Sequence, residues 1–217
     1  MKLNIVNKRI AAGISKIKRP SKQIKFGFGT VALIAACLML LIIATFTQIK
    51  YDFIMPETSP IPIFHFEYIP QIPVVIFISA LLGRKWGVFT VLLYIALGLT
   101  PNYPIFGLGG GLSYVLQYNF GYIVAYLFAA YFCAKELKNE NSVIHGILGA
   151  LYGVIIIHIT GVIYMSVIAM LQHDSYSFIY DLIYYQSLSK ILYDVLFSLI
   201  AVFIAKLSKK MLWIITG

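Results

Sequence analysis

The sequence predicts an all-α membrane protein with six transmembrane helices and both termini in the cytoplasm. Of its 217 residues, 60% are hydrophobic and only 12% are charged, whereas soluble domains carry roughly 25% charged residues. A soluble globule of this size needs a more polar surface than this composition provides. The composition therefore excludes a soluble enzyme, a disordered segment and a nucleic-acid-binding domain. The apolar residues form continuous runs without the alternation of a membrane β-barrel, which favours helices.

Six continuous apolar runs are the candidates for these helices. They cover residues 28–49, 70–82, 86–99, 114–133, 144–171 and 188–206. A spanning helix needs roughly 20 apolar residues, so the second run is short and extends back through Tyr68 if it is tilted. Cys37 and Cys133 lie inside apolar runs, which argues against a disulfide framework or a zinc site. The predicted domains are a basic N-terminal tail at 1–27, a membrane domain at 28–210 and a C-terminal tail at 211–217.

The net charge is +9, and the positions of the basic residues indicate the orientation of the chain in the membrane. With the N-terminus inside, 15 of the 17 Lys and Arg residues fall in cytoplasmic segments. These segments are the N-terminal tail, the turn at Arg84 and Lys85, the loop at Lys135 and Lys138, and the C-terminal tail. The positive-inside rule strongly favours this arrangement. The basic residues are therefore a topology signal for a protein in a lipid bilayer, and no nucleic-acid partner is expected.

Three connections between the runs have distinct compositions. Residues 51–67 contain three prolines and are long enough to fold over a site as a lid. Residues 100–113 carry no charge, and non-helical backbone near a bilayer has to pack on protein or line a cavity. Residues 172–186 are rich in tyrosine, which is typical of the membrane interface.

No catalytic constellation is visible in the sequence. Ligands at metal-binding spacing and a nucleophile elbow are missing, and residues 107–111 lack the lysine of a phosphate-binding loop. We therefore expect no enzyme activity and no cofactor. The glycine cluster in this segment is compatible with two roles, which are a close approach of backbone amides to a ligand and a tight re-entrant turn.

Lys190 is the most informative single residue, because a charge inside a predicted span is costly and typically marks a functional site. It lies near the outer end of the last apolar run, where an anionic solute would arrive. Two other interpretations are a lysine that snorkels outward to the interface and a structural pair with Asp194 one turn further on.

Other polar or small residues leave two interpretations open. His158 lies in the middle of a run, where a histidine is more often hydrogen-bonded in the core than in contact with a ligand. Gln71 is either a positioned amide for a ligand or a polar residue at a helix end. Ala32 and Ala36 form a small-residue face that lets another helix approach closely, either from a partner subunit or from the same bundle.

The segment between the third and fourth runs resembles the signature of the BioY family, the biotin-binding S components of energy-coupling-factor (ECF) transporters. The matching residues are Pro104-Ile105-Phe106, the glycine cluster and Gly111-Leu112-Ser113-Tyr114. Further similar positions are Gln71, Gly83 with Gly87, Gly121-Tyr122, Thr160-Gly161-Val162-Ile163-Tyr164 and Lys190. Where the family has an Asp-x-x-Lys pair, this chain reads Ser187-Leu188-Ser189-Lys190.

The resemblance implies an S-component-like bundle that captures biotin at the outer face of a bacterial inner membrane. The substrate-binding residues that it implies are Gln71, Phe106, Gly109, Gly110, Gly111, Tyr114, Asn119, Tyr122, His158, Ser187 and Lys190. It also implies separate partner chains, which are a transmembrane coupling subunit that meets Ala32 and Ala36 and two ATPases. The chain has no nucleotide-binding motif of its own.

Two alternatives are compatible with the same sequence. The chain could be an S component for another small vitamin, or a solo transporter that works without ATPases. In a different class, it could be a non-transporting membrane assembly protein, in which Lys190 and the glycine cluster are only structural. Binding of labelled biotin to the purified protein discriminates between these alternatives.

Overall fold

The structure, a computed structural model, describes residues 27–54, 63–101, 103–107, 109–137 and 142–216. The basic N-terminal tail, the three prolines of the first long connection and Lys138 lie outside these residues. The described elements are α1 (Phe28–Phe46), β1 (Ile49–Ile54), β2 (Ile63–Tyr68), α2 (Gln71–Gly98), a 3₁₀ segment (Leu112–Leu116), α3 (Phe120–Glu136), α4 (Val143–Leu171), α5 (Tyr176–Ile183), a π-helical turn (Tyr184–Leu188) and α6 (Ile191–Thr216).

Helix α2 is broken in its middle and folds back on itself. Gly83 has φ 73° and ψ −177°, a left-handed backbone conformation that favours glycine. The amide of Gln71 lies 3.3 Å from the hydroxyl of Tyr94, although the two residues would be about 34 Å apart in a continuous helix that rises 1.5 Å per residue. The two halves of α2 therefore run antiparallel and correspond to the predicted runs 70–82 and 86–99.

Four stretches of the described chain are long and apolar enough to cross a membrane. They are α1, the whole of α2, α4 and the stretch Tyr176–Leu212, which contains α5 and most of α6. Helix α3 is apolar but has only 17 residues. The fold is thus helical with several membrane-crossing segments, which confirms the predicted class at this level.

The helices pack in a closed ring. Helix α2 contacts α3, α3 contacts α4, α4 contacts α6, and α6 returns to α2, while α1 packs against α2. Helix α1 turns one face to this ring, with buried residues at the three- and four-residue spacing of a helix; these are Thr30, Ile34, Cys37, Leu41, Ala44 and Thr45. Ala32 and Ala36 are exposed on another face. Within the described residues, this face of α1 is not covered by the rest of the bundle.

Helices α3 and α4 approach each other closely at two glycines. A Cβ atom on Gly161 would lie 2.5 Å from the ring of Tyr122, and one on Gly121 would collide with the side chain of Tyr164. Each helix therefore provides a glycine that accommodates a tyrosine of the other helix. This reciprocal packing fixes the ring of Tyr122 at the start of α3.

The two ends of the ring differ in charge. At one end, Arg84 lies 5.2 Å from the ring centre of Tyr131, and Lys206 donates to the carbonyl of Ser142 over 2.9 Å. The described basic residues of the predicted inner turns and tail gather at this end. Lys50 and Lys190 lie at the opposite end of the molecule, where α1 finishes and α6 begins.

The structure differs from the prediction in four places. The connection 51–67, which the sequence predicts as a loop, contains an antiparallel hairpin in which Ile49 pairs with Tyr68, because aromatic and polar residues alternate along Ile63–Tyr68 with the period of a strand. The fourth run begins with a 3₁₀ segment at 112–116 instead of an α-helix, and α5 occupies part of the predicted loop 172–186. Helix α6 continues to Thr216 through the predicted C-terminal tail.

Candidate functional site

A cavity of about 220 Å³ opens at the end of the ring that carries Lys190. A cavity of roughly 150 Å³ can hold benzene, so this one has room for a small bicyclic ligand. Residues that are far apart in the sequence line it, and they come from α1, β2, α2, the glycine segment, α3 and α6. The lining residues are Thr45, Gln48, Glu67, Tyr68, Ile69, Gln71, Ile72, Phe106, Gly107, Tyr114, Asn119, Tyr122, Ile123, Tyr126, Gln186, Lys190 and Asp194.

Gln71 ties three helices together at the wall of this cavity. Its amide donates to the hydroxyl of Thr45 at the end of α1 over 2.8 Å and lies 3.3 Å from the hydroxyl of Tyr94. Its carbonyl oxygen accepts a hydrogen bond from Tyr126 on α3 over 2.9 Å. Both ends of the side chain are thus engaged within the protein. Gln71 lines the cavity, but these bonds give it a structural role in shaping the wall.

A second polar network runs through the ring as a continuous chain of five side chains. Tyr68 donates to Asp194 over 2.8 Å, and Asp194 lies 3.1 Å from Nε2 of His158. Nδ1 of His158 lies 2.9 Å from Ser187, whose hydroxyl lies 2.6 Å from that of Tyr122. All five side chains are buried. A buried polar chain in which every member has a partner is costly to interrupt, because the remaining groups lose their hydrogen bonds.

Tyr68 holds the carboxylate of Asp194 from the hairpin side. Its burial, followed by the neighbouring negative charge of Asp194 and the hydrogen bond between them, raises the pKa of Tyr68 above its ordinary value. The phenol therefore keeps its proton and remains a donor. Its ring also packs 5.3 Å from that of Phe197 on α6. The hairpin is thereby attached to α6 at the edge of the cavity.

Lys190 lines the cavity beside this network. Its ammonium lies 3.5 Å from the side-chain oxygen of Gln186, a long contact for a hydrogen bond. No ion pair joins Lys190 to Asp194 among the described residues, since that carboxylate is held by Tyr68 and His158. Glu67 also lines the cavity and pairs with Lys50 over 2.7 Å. The interpretation of Lys190 as the structural partner of Asp194 is therefore not supported by the geometry.

The glycine segment forms a tight turn that packs against the end of α2. The amide of Gly111 donates to the carbonyl of Gly98 over 2.8 Å, and the amide of Phe106 donates to Gly109 over 3.1 Å. Gly109 and Gly111 have φ values of 151° and 80°, which explains why glycine stands at these positions. The ring of Phe106 packs over Gly98. The geometry thus favours the turn interpretation of the cluster.

The structure brings most of the predicted residues together. The cavity is lined by Gln71, Phe106, Tyr114, Asn119, Tyr122 and Lys190. His158 and Ser187 lie directly behind this wall in the polar chain. Gly109, Gly110 and Gly111 lie in the turn beside Phe106 and Tyr114, and Gly107 of the same segment lines the cavity. Ala32 and Ala36 lie on the exposed face of α1.

Several lining residues were not predicted from the sequence as parts of a site. Tyr126 lies one turn after Tyr122 on the same face of α3, a spacing that could have indicated it. Tyr68 follows the alternation of β2. Thr45 and Gln186 carry no comparable signal in the sequence. The sequence indicated Asp194 only as a structural partner of Lys190.

Comparison with known proteins supports one family. A sequence model of the BioY family matches residues 17–213. The chain is 36% identical over 110 residues to the "Probable biotin transporter BioY" of Lysinibacillus sphaericus, a match that covers 50% of this chain and 55% of that protein. The chain therefore spans about half the length of this curated relative.

A solved structure has the same fold. It is described as the S-component for biotin from an ECF-type ABC transporter, and it superimposes with a TM-score of 0.64 at 24% sequence identity. The superposition covers 84% of this chain and 91% of the other. At this identity the similarity establishes the helical S-component architecture. Since the family model also spans nearly the whole sequence, the chain belongs to the BioY family.

Proposed function

We propose that the chain is a membrane-embedded S component that captures biotin at the outer face of a bacterial inner membrane. The observation that carries this proposal is the cavity, whose partly apolar wall carries hydrogen-bond acceptors and the ammonium of Lys190, a group that forms no ion pair within the described residues. Small-molecule sites typically combine such apolar walls with a few well-placed polar groups. Membership of the BioY family and the biotin-binding relatives support the same substrate.

The chemistry of biotin matches this wall. Biotin is an apolar fused bicycle with a ureido group at one end and a valerate carboxylate at the other. Phe106, Tyr114 and Ile123 supply apolar surface, and Asp194 with Tyr122 supplies acceptors for the ureido N–H groups. Lys190 supplies the cation for the carboxylate. A lysine–carboxylate bond that is screened from water is stronger than an exposed pair.

The proposed topology has six spans with both termini inside. The two halves of α2 and the short α3 would each cross the bilayer, although each has fewer than the roughly 20 residues of an ordinary span. Tilt and local bilayer thinning can accommodate short helices at modest cost. The gathering of Arg84, Lys85, Lys135 and Lys206 at the end opposite the cavity supports an outward-facing site.

The proposed partners are a transmembrane coupling subunit and two ATPases. Ala32 and Ala36 lie exposed on α1, and small residues at this spacing allow a second membrane helix to approach closely. We propose this face as the contact with the coupling subunit, which would transmit the energy of ATP hydrolysis. Co-purification of the chain with such a subunit, weakened by Ala36→Trp but not by Ile159→Trp on the exposed face of α4, tests this assignment.

A thermal-shift panel tests the choice of substrate. The purified chain in detergent is heated with biotin and, separately, with thiamine, riboflavin, pantothenate and nicotinate. Because a ligand that binds only the folded state raises Tm, we expect a rise with biotin alone. A rise with another vitamin instead would contradict biotin but preserve the class. The absence of a shift with all of them would favour the non-transporting assembly protein.

A further inference from the structure

The polar chain through the ring begins and ends at the cavity. Asp194 and Tyr122 both line the cavity, whereas His158 and Ser187 lie between them behind the wall. Nε2 of His158 faces Asp194, and Nδ1 faces Ser187. His158 is therefore the link that connects the hydrogen-bonding state of Asp194 to that of Tyr122.

The number of protons on the Asp194–His158 pair determines the direction of the hydrogen bonds. When the pair holds one proton, it lies on Nε2 and is donated to Asp194, so Nδ1 has to accept from Ser187. Ser187 has only one hydrogen, and the hydroxyl of Tyr122 therefore has to donate to Ser187. Tyr122 then presents only its lone pairs to the cavity. Both groups at this part of the wall, Asp194 and Tyr122, are acceptors in this state.

A second proton on the pair removes this constraint. Nδ1 then carries a hydrogen and donates to Ser187, whether the additional proton formally sits on the imidazole or on the carboxyl group. The hydrogen of Ser187 becomes free to point at Tyr122. The hydroxyl of Tyr122 can then turn toward the cavity as a donor. The same side chains thus present a different arrangement of hydrogen-bond donors and acceptors to the ligand.

We propose that His158 is a positioning residue that commits Tyr122 to accept hydrogen bonds and so selects a ligand that offers N–H donors at this wall. This inference rests on the proposed function, since the ureido group of biotin carries two N–H donors. His158 itself does not contact the ligand. It acts through Ser187 and Tyr122 on one side and through Asp194 on the other.

The experiment measures ligand preference in three variants of the full chain. The ligands are biotin and its two cyclic carbamate analogues, in which one ureido N–H is replaced by an isosteric oxygen. We expect wild type to prefer biotin over one of these analogues by at least about tenfold, the effect of one unmade hydrogen bond. His158→Gln keeps a donor for Asp194 and an acceptor for Ser187, and should retain this preference. His158→Leu should lower it at least about fivefold, while Ile157→Leu, a buried volume-conserving control on the same helix, should not change it.

The measurement on wild type tests the proposal even where the Leu variant does not fold. A wild-type chain that binds biotin and both carbamate analogues equally well would overturn it.

Equal preferences in wild type and His158→Leu, or loss of the preference in His158→Gln, would overturn the positioning role and leave biotin binding in place. A wild-type chain that binds no biotin would overturn both proposals together. The two failures are therefore distinguishable in the same set of titrations.

Discussion

At the scale of single residues, the site depends on a few polar side chains whose hydrogen bonds are almost all made within the protein. Gln71 is held by Thr45, Tyr94 and Tyr126, and Asp194 is held by Tyr68 and His158. Such networks keep polar groups in one geometry before a ligand arrives, which lowers the entropy lost on binding. Lys190 is different, because within the described part of the chain the only hydrogen bond of its ammonium is a long contact to Gln186. This ammonium lines the cavity, where it can meet a carboxylate ligand.

Replacement of Lys190 by alanine should weaken biotin binding by about 1.5–3 kcal/mol, the range for a hydrogen bond to a charged group. The affinity for biotin amide, which lacks the carboxylate, should fall much less. Lys50→Ala is the matched control, because Lys50 lies at the same end in an exposed pair with Glu67. Equilibrium titration of the three proteins with both ligands measures the difference. If Lys190→Ala and wild type bind biotin alike, the carboxylate is held elsewhere.

The residue scale also shows what a sequence can and cannot indicate about this site. Lys190, Phe106, Tyr114 and Tyr122 were predicted as substrate-binding residues from local signals, which are a charge in a span and a resemblance in motif, and the structure places all four on the wall of the cavity. The contact of Asp194 with His158 joins residues 36 positions apart. No local pattern encodes such a contact, because it depends on how α4 and α6 pack.

At the scale of helices and strands, glycine determines where the backbone turns and where two helices meet. The break at Gly83 was predicted as a turn between two apolar runs, and its left-handed backbone explains it. The hairpin was missed, because its prolines and charges suggested an irregular loop while the alternation of β2 extends over only six residues. Short alternating segments are weak signals next to continuous apolar runs.

Substitution of Gly161 by alanine should disturb both stability and binding. The new methyl group would lie 2.5 Å from the ring of Tyr122, and overpacking of this kind costs about 1–3 kcal/mol of unfolding free energy. Because Tyr122 lines the cavity, biotin affinity should fall with it. Gly29→Ala is the control, since no atom lies within 4 Å of a Cβ at that helical position. Thermal unfolding and biotin titration of both variants check this. A Gly161→Ala protein with unchanged Tm and affinity would show that α3 and α4 do not approach as closely as described.

At the scale of the whole molecule, the cavity with Lys190 lies at one end of the ring, and the described basic residues of the predicted inner turns and tail lie at the other end. The positions of the charged connections between the apolar runs predict such a separation. The proposed number and orientation of the spans rest on the same positions, and both can be tested by chemical labelling in cells.

Single cysteines at Lys50 and Lys85 should react differently with a membrane-impermeant maleimide added to intact cells. We expect Lys50→Cys to be labelled from outside and Lys85→Cys to be labelled only after the membrane is opened. The native Cys37 and Cys133 are buried, so the unchanged chain serves as the unlabelled control. Labelling of Lys85→Cys in intact cells, with Lys50→Cys protected, would reverse the proposed orientation.

The most direct test of the account is an isothermal titration of the purified chain with biotin in detergent. A cavity with one cation and one acceptor wall predicts a single site, with one biotin bound per chain and a dissociation constant below about 1 μM, equivalent to more than about 8 kcal/mol of binding free energy. The absence of binding at biotin concentrations of about 100 μM, where the free energy would be weaker than about 6 kcal/mol, would contradict the proposed function.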